Sequence, residues 1–256
     1  MFPTGNDPLA VLAADDRVSA AVQAARGEID ALLWRRDVRT AAADVASASI
    51  QRGARDSAAI DGADVAVSDA SPMGRVLEAA LRLTAAVPTQ VDVFTAAPLQ
   101  AWAHLHALTA HGFVEAEDLG RPRSGETVDD PLNLGQVIPS TAAAERLAML
   151  AQTLTSPTDA PAMVIAAVAH AELAVVRPFT WGSGLLARAT TRLVLASRGV
   201  DPSLFSIPEH GMLELGRPAY VKALRSYADG TRAGVSEFIV WQATAFALGA
   251  KAVIIP

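Results

Sequence analysis

The sequence predicts an all-α fold with at most a small β element, and three features carry that prediction. Apolar residues recur at intervals of three and four along most of the chain, the period of a helix that buries one face. Alanine and leucine, strong helix formers, fill those segments, and short clusters of Pro, Gly, Ser and Asp divide them. No strand-like run is long enough to build a parallel sheet.

Helices are therefore expected over residues 15–33, 38–57, 73–87 and 97–111, and then over 141–154, 161–176, 184–198, 218–228 and 235–253. The stretch "AAIDGADVAVSDASP" reads as a turn between the second and third. "GFVEAEDLGRPRSGETVDDPLNLGQVIPS" carries Gly, Pro and Asp without a helical period, which suits a loop or a small hairpin. Two helices differ from the rest. In "PAMVIAAVAHAELAVV" the only strongly polar side chains are His170 and Glu172, so this helix belongs in the middle of a bundle, with Ala166, Val168 and Leu173 buried. Pro178 ends it, because the residue before a proline is pushed out of helical geometry. In 184–198, Leu186, Thr190, Leu193, Val194 and Ser197 share one stripe, while Leu185, Arg188 and Arg192 fall on the other side. Arg188 should then look out over the turn before the helix, beside a leucine out of character for a polar face.

Composition narrows the function. The 256 residues are 51% hydrophobic and 19% charged, enough for one large or two small domains with a real core. The net charge of −6, with no Lys/Arg run, argues against nucleic-acid and anionic-membrane binding. Cysteine is absent, which excludes disulfides, thiolate zinc sites and a Cys nucleophile. "MFPTGNDPLAVLAADDR" is acidic and broken by prolines, unlike a secretory signal, so a cytoplasmic protein is expected. "FIVWQATAFALGAKAVIIP" is apolar, but Gln242 and Lys251 interrupt it and Glu237 precedes it; it suits a terminal core helix better than a membrane span.

The turn Gly182-Ser183-Gly184 runs straight into a helix. Such turns suit anions, since the first amides of a helix point outward unpaired. The surrounding residues, Arg177-Pro178-Phe179-Thr180-Trp181-Gly182-Ser183-Gly184-Leu185-Leu186-Ala187-Arg188, resemble the signature of Fic/Fido-domain proteins, His-Pro-Phe-x-(Asp/Glu)-Gly-Asn-Gly-Arg-x-x-Arg. Pro178, Phe179, both glycines and Arg188 match in register. "AAVAHAELAVV" is similar to the helix leading into that motif, "RLVLASRGVDP" to the one leaving it, and "RPAYVKALRSYADGTRAGVSEFIVWQATAF" to the closing helices. A second segment, Ser57-Ala58-Ala59-Ile60-Asp61-Gly62, resembles the inhibitory motif (Ser/Thr)-x-x-x-Glu-(Gly/Asn), with Asp for Glu.

The resemblance, which runs from about Ala97 to the C-terminus, implies a Fic/Fido-like core over 93–256. A β-hairpin flap would lie at "GRPRSGETVDDPLNLG", and an N-terminal helical region over 1–92 would pack with the core as one globular unit. It also implies an activity, transfer of AMP from ATP to a protein hydroxyl. There the His acts as general base, the Asp/Glu holds Mg²⁺, the turn forms the anion hole and the arginines bind phosphates.

This chain departs at most of those positions. Arg177 stands at the base and cannot deprotonate. Trp181 stands at the metal position without an oxygen ligand, Ser183 replaces Asn, and Leu185 replaces the first Arg. No catalytic residue and no metal ligand is therefore expected. Two readings stay open. In one, the chain is a pseudoenzyme acting on a protein partner or as a homodimer. In the other, Arg177, Gly182, Ser183, Gly184 and Arg188 still hold a phosphate or nucleotide, with an unconventional transfer reaction as its extension. Ser57, Asp61 and Gly62 form the inhibitory-like segment, with Asp61 expected to approach Arg188. Arg177 is expected either to add a cation to the anion site or to pair with Glu172 or Asp61. Trp181 is read as an apolar plug or a base-stacking surface, His170 as a core histidine or a substitute base. His104 and His106 face different sides of a helix, and His111 and His210 fall in turns.

Overall fold

A computed structural model of the chain describes residues 7–63 and 71–255, and among these residues the chain is a bundle of twelve α-helices. The first, α1 (Pro8–Ala13), is capped by the Asp7 carboxylate, which accepts from the amides of Leu9 and Ala10. Asp15 caps α2 (Asp16–Trp34) in the same way. The helix expected over 38–57 is two, α3 (Arg36–Thr40) and α4 (Ala42–Ile60), separated where Ala41 leaves helical geometry. Residues 64–70, part of the expected turn, lie outside the described residues, as do the first six.

After Ser71, whose hydroxyl caps the next helix, α5 (Pro72–Ala96) runs two turns beyond its expected end and passes through Pro88. A proline there removes one backbone hydrogen bond. Tertiary packing outweighs it, since Val87 and Phe94 are both buried. Then come α6 (Pro98–Ala110), α7 (Ser140–Thr155), α8 (Ala162–Val176), α9 (Ser183–Ser197), α10 (Pro208–Leu215), α11 (Arg217–Ala228) and α12 (Arg232–Lys251). Neither α1 nor α10 was expected; both are short, and α10 begins at a proline and stops at Gly216. His210 thus sits on a helix rather than in a turn, against Asp56 at 3.1 Å, while His111 ends α6. Residues 119–139 take the loop alternative: they contain no strand and no helix.

Helices α8 and α9 form the centre. α8 packs on α9, α5 flanks α9, and α12 packs against α2 and α10. Ala166 and Leu173 of α8 are buried as expected, whereas Val168 is only half-buried at the rim of the core. α9 corrects the sequence reading. It has no polar face: Leu185, Arg188 and Arg192 are all buried. The periodicity identified two stripes and read the one with arginines as a polar face; Arg188 is paired with Asp61 as expected, and Arg192, for which no partner was expected, is paired inside the protein as well. Arg192 meets the Glu209 carboxylate at 2.7 and 2.8 Å and Ser49 of α4. This ion pair passes so close to α4 that a Cβ on Gly53 would lie 2.2 Å from the Arg192 guanidinium. Gly211 allows an equally close approach of α10 to α12, since a Cβ there would meet the Ala245 carbonyl oxygen at 1.9 Å. Among the described residues no helix is long and apolar enough to cross a membrane.

Candidate functional site

The site lies where α8 ends and α9 begins. Arg177, the last cap of α8, adopts a left-handed conformation (φ 48°, ψ 64°) directly before Pro178. The proline disfavours helical backbone at Arg177, and the positive φ turns the chain sharply away from the helix axis. Phe179 follows, stacked on His106 with ring centroids 4.1 Å apart. Ser183 Oγ lies 3.3 Å from both the amide and the carbonyl oxygen of Phe179, which folds the turn back on itself. Gly182 has φ 76°, a conformation glycine adopts without penalty, and it starts α9 with no side-chain cap. The amides at that helix start therefore have no intrahelical acceptor.

Above this turn stands Asp61. Helix α4 ends in a Schellman arrangement, with the Ala63 amide donating to Ala58 and the Gly62 amide, at φ 92°, to Ala59. That closure puts Asp61 at the helix cap, one turn beyond Ser57 and on the same face. Both reach Arg188. Its Nε donates to Ser57 Oγ at 2.7 Å, and Nη2 donates to the Ser57 carbonyl at 3.1 Å and to Asp61 Oδ2 at 2.6 Å. The contact is direct. Arg188 is fully buried and the Asp61 side chain is 8% exposed. Burial opposes the charge on Arg188, but Asp61 and the Tyr220 hydroxyl outweigh it and raise its pKa. One guanidinium nitrogen, Nη1, and one carboxylate oxygen, Asp61 Oδ1, are buried without a protein partner beside Gly184.

Arg177 points the other way. Its Nη1 lies 3.0 Å from Asp130 Oδ2, and Nη2 donates to the carbonyls of Gly135 and Gln136. The expected partners are otherwise engaged: Asp61 with Arg188, and Glu172 with Arg146 at 2.7 Å and Tyr227 at 2.7 Å. Asp130 escaped the sequence reading because it lies in a segment without periodicity. Its neighbour Asp129 has its pKa raised to about 6 by burial and by the nearby carboxylates of Asp61 and Asp130.

Trp181 stacks on Phe113 with centroids 3.8 Å apart, and the Arg75 guanidinium lies 4.8 Å over the same Phe113 ring. One face of the indole is thus filled from within the protein. His106, read from the sequence only as facing a different side of its helix from His104, orders the motif. Its Nδ1 accepts from the Gly120 amide at 2.9 Å, so Nε2 carries the proton and donates to the Trp181 carbonyl at 3.2 Å. Burial keeps it neutral, with its pKa pushed down to about 4. His170 is a core histidine between Tyr220, at 2.6 Å, and Thr191, at 3.2 Å. Burial first, then the Arg188 charge, hold its pKa well below the usual range. Both of its ring nitrogens are engaged within the core, which leaves neither to act as a base at the turn.

The metal position does not fit Mg²⁺. Trp181 offers no oxygen ligand, and two of the three carboxylates around the turn, Asp61 and Asp130, are committed to arginines. Among the described residues no group of three or more His, Asp or Glu side chains is placed to hold a metal.

No protein-family model and no curated protein matches this sequence significantly. Solved structures do. A Fic family protein from Desulfovibrio desulfuricans superposes with a TM-score of 0.70 at 17% identity, over 92% of this chain and 73% of its own. Fic-1 from C. elegans, in a form carrying the substitution E274G, gives 0.61 at 17% identity, over 96% of this chain and 74% of its own. Fic-1 without that substitution gives 0.57 at 16% identity, over 91% and 71%. The matched region takes in the N-terminal helices as well as the motif-bearing core, and this chain has the Fic/Fido fold.

Proposed function

We propose that this protein does not transfer AMP and acts by binding another protein, or a second copy of itself, as a Fic-fold pseudoenzyme of the cytoplasm that needs no metal. The observation that supports this most is that both arginines of the motif are neutralised by the protein's own carboxylates, Arg188 by Asp61 and Arg177 by Asp130. An ATP phosphate would have to displace a buried ion pair, and breaking such a pair costs about 3–5 kcal/mol. At the base position a guanidinium cannot accept a proton, and losing a general base alone lowers rates by roughly 10²–10⁴. The second reading, a retained phosphate or nucleotide site, draws on the orphaned Arg188 Nη1 beside the turn. That nitrogen and the first amides of α9 would face an anion if Asp61 withdrew.

The test is incubation of the purified protein with ATP radiolabelled on the α-phosphate, Mg²⁺ and a cell lysate. No label should pass to the protein or to lysate proteins. Replacing Arg177 by His should not restore it, because Trp181, Ser183 and Leu185 remain. Robust labelling by the unaltered protein would overturn the proposal.

A further inference from the structure

The loop over 119–139 is held to the motif by side-chain and backbone contacts along its length. Arg123, buried at 1% side-chain exposure, ties the two arms of the loop together: Nη2 donates to the Ile138 carbonyl at 2.6 Å and Nη1 to Gly125 at 2.8 Å. Its Nε donates to the Arg177 carbonyl at 2.9 Å, which joins the loop to the motif. Two backbone bonds run in parallel: the Arg123 amide to the Pro178 carbonyl and the Asp129 amide to the Thr180 carbonyl, both at 2.8 Å. The tip, 130–136, is gripped by three arginines from outside the loop. Arg177 takes Asp130, Gly135 and Gln136, Arg217 donates to the Pro131 carbonyl, and Arg225 donates to the Asn133 carbonyl at 2.7 Å. Leu132 is buried in the core and Leu134 packs against it half-buried, so both serve as apolar anchors.

These contacts are unequal. Arg217 and Arg225 bind single carbonyls at exposed positions, where water competes for the same acceptors. Arg177 is 4% exposed and is the only one of the three paired with a carboxylate of the loop. Asp130 in turn accepts from the amides of Leu134 and Gly135, both at 2.9 Å, so the same carboxylate shapes the tip and docks it. The burial of Arg177 leaves its Nε without a partner, and its backbone is held at a positive φ. Both are unfavourable. A side chain without that nitrogen would relieve the first, whereas the positive φ belongs to the backbone and would remain.

We propose that Arg177 is the clasp that holds the loop over 119–139, the segment where the Fic resemblance implies a flap, closed over the motif. The position where the Fic signature has its base thus carries a mechanical group in place of a chemical one. With the clasp fastened, the loop backbone occupies the Pro178 and Thr180 carbonyls and covers the bend from Arg177 to Trp181. With it open, those carbonyls and the turn become accessible from the loop side. The lid shares a site with the pseudoenzyme reading but does not depend on the absence of transfer.

Amide hydrogen exchange on the full chain tests it, comparing the wild type with Arg177→Gln and with Asp130→Asn, which break the same pair from opposite sides. The Arg123 and Asp129 amides report, because neither substitution touches their acceptors. Both should exchange at least tenfold faster in both variants, while the amides of α8 and α9 keep their protection. Equal exchange in wild type and variants would overturn the clasp. So would faster exchange spread through α8 and α9, since Arg177 would then be a staple of the core and not of a lid. Radiolabelling separates the two proposals: label transfer together with a loosened lid would remove the pseudoenzyme reading and leave the clasp.

Discussion

Asp129 is the residue at which pH should act on this site. Its pKa rises from 3.8 to about 6, chiefly by burial and then by Asp61 and Asp130, while Arg188 and Arg177 are already paired with those two carboxylates. Below pH 4 it is protonated in the folded and unfolded chain alike. Between pH 4 and 6 only the folded chain keeps the proton, so the stability contributed by this residue falls as pH rises and stays low above pH 6. Asp129→Asn escapes the penalty. Its gain in Tm over the wild type should be absent at pH 4 and reach a plateau above pH 6. Asp129 is nevertheless exposed to solvent as a residue, which screens the effect, so the gain is small, roughly a few tenths of a kcal/mol. Equal Tm differences at pH 4 and pH 8 would contradict the assignment. The partners of single residues were only partly legible in the sequence. Ser57 and Asp61 could be placed near Arg188 because a helix end fixes their spacing. Asp130 could not be matched to Arg177, because nothing in an aperiodic loop fixes which carboxylate returns to the core.

At the scale of the element, α8 shows what hydrophobic pattern can and cannot establish. A helix with only His170 and Glu172 as strongly polar groups had to be central, and eleven of its fifteen residues are buried. Leu173→Ala should therefore cost about 2–5 kcal/mol through lost transfer free energy and a residual cavity. Chemical denaturation measures it, and a loss under half a kcal/mol would show that α8 is peripheral. Helix α9 defeated the same logic. Arg188 and Arg192 mark a polar stripe only if they face water, and here they face Ser57 with Asp61 and Ser49 with Glu209. Charge in a sequence shows that a partner is needed; it does not show whether the partner is solvent. Helix α10 was missed for a plainer reason. At eight residues, started by a proline, it is too short for its period to stand out.

Across the whole molecule, two segments distant in sequence meet over the motif. Asp61 arrives from the last turn of α4 and Asp130 from the 119–139 loop, and each neutralises one motif arginine. The fold was legible because a five-position match in a twelve-residue motif agreed with the helical pattern on both sides. The closed state of the site was only half legible, through the Ser57–Gly62 segment. The central claim is that the protein closes its own anion site, and direct binding of ATP measures this. Isothermal titration of the wild type should show no binding at millimolar ATP. Asp61→Ala, which leaves Arg188 buried and unpaired, should lower stability by about 3–5 kcal/mol and bind phosphate or ATP measurably, with that binding lost again in the double variant Asp61→Ala/Arg188→Ala. Micromolar binding of ATP by the wild type, undiminished by Arg188→Ala, would contradict the account.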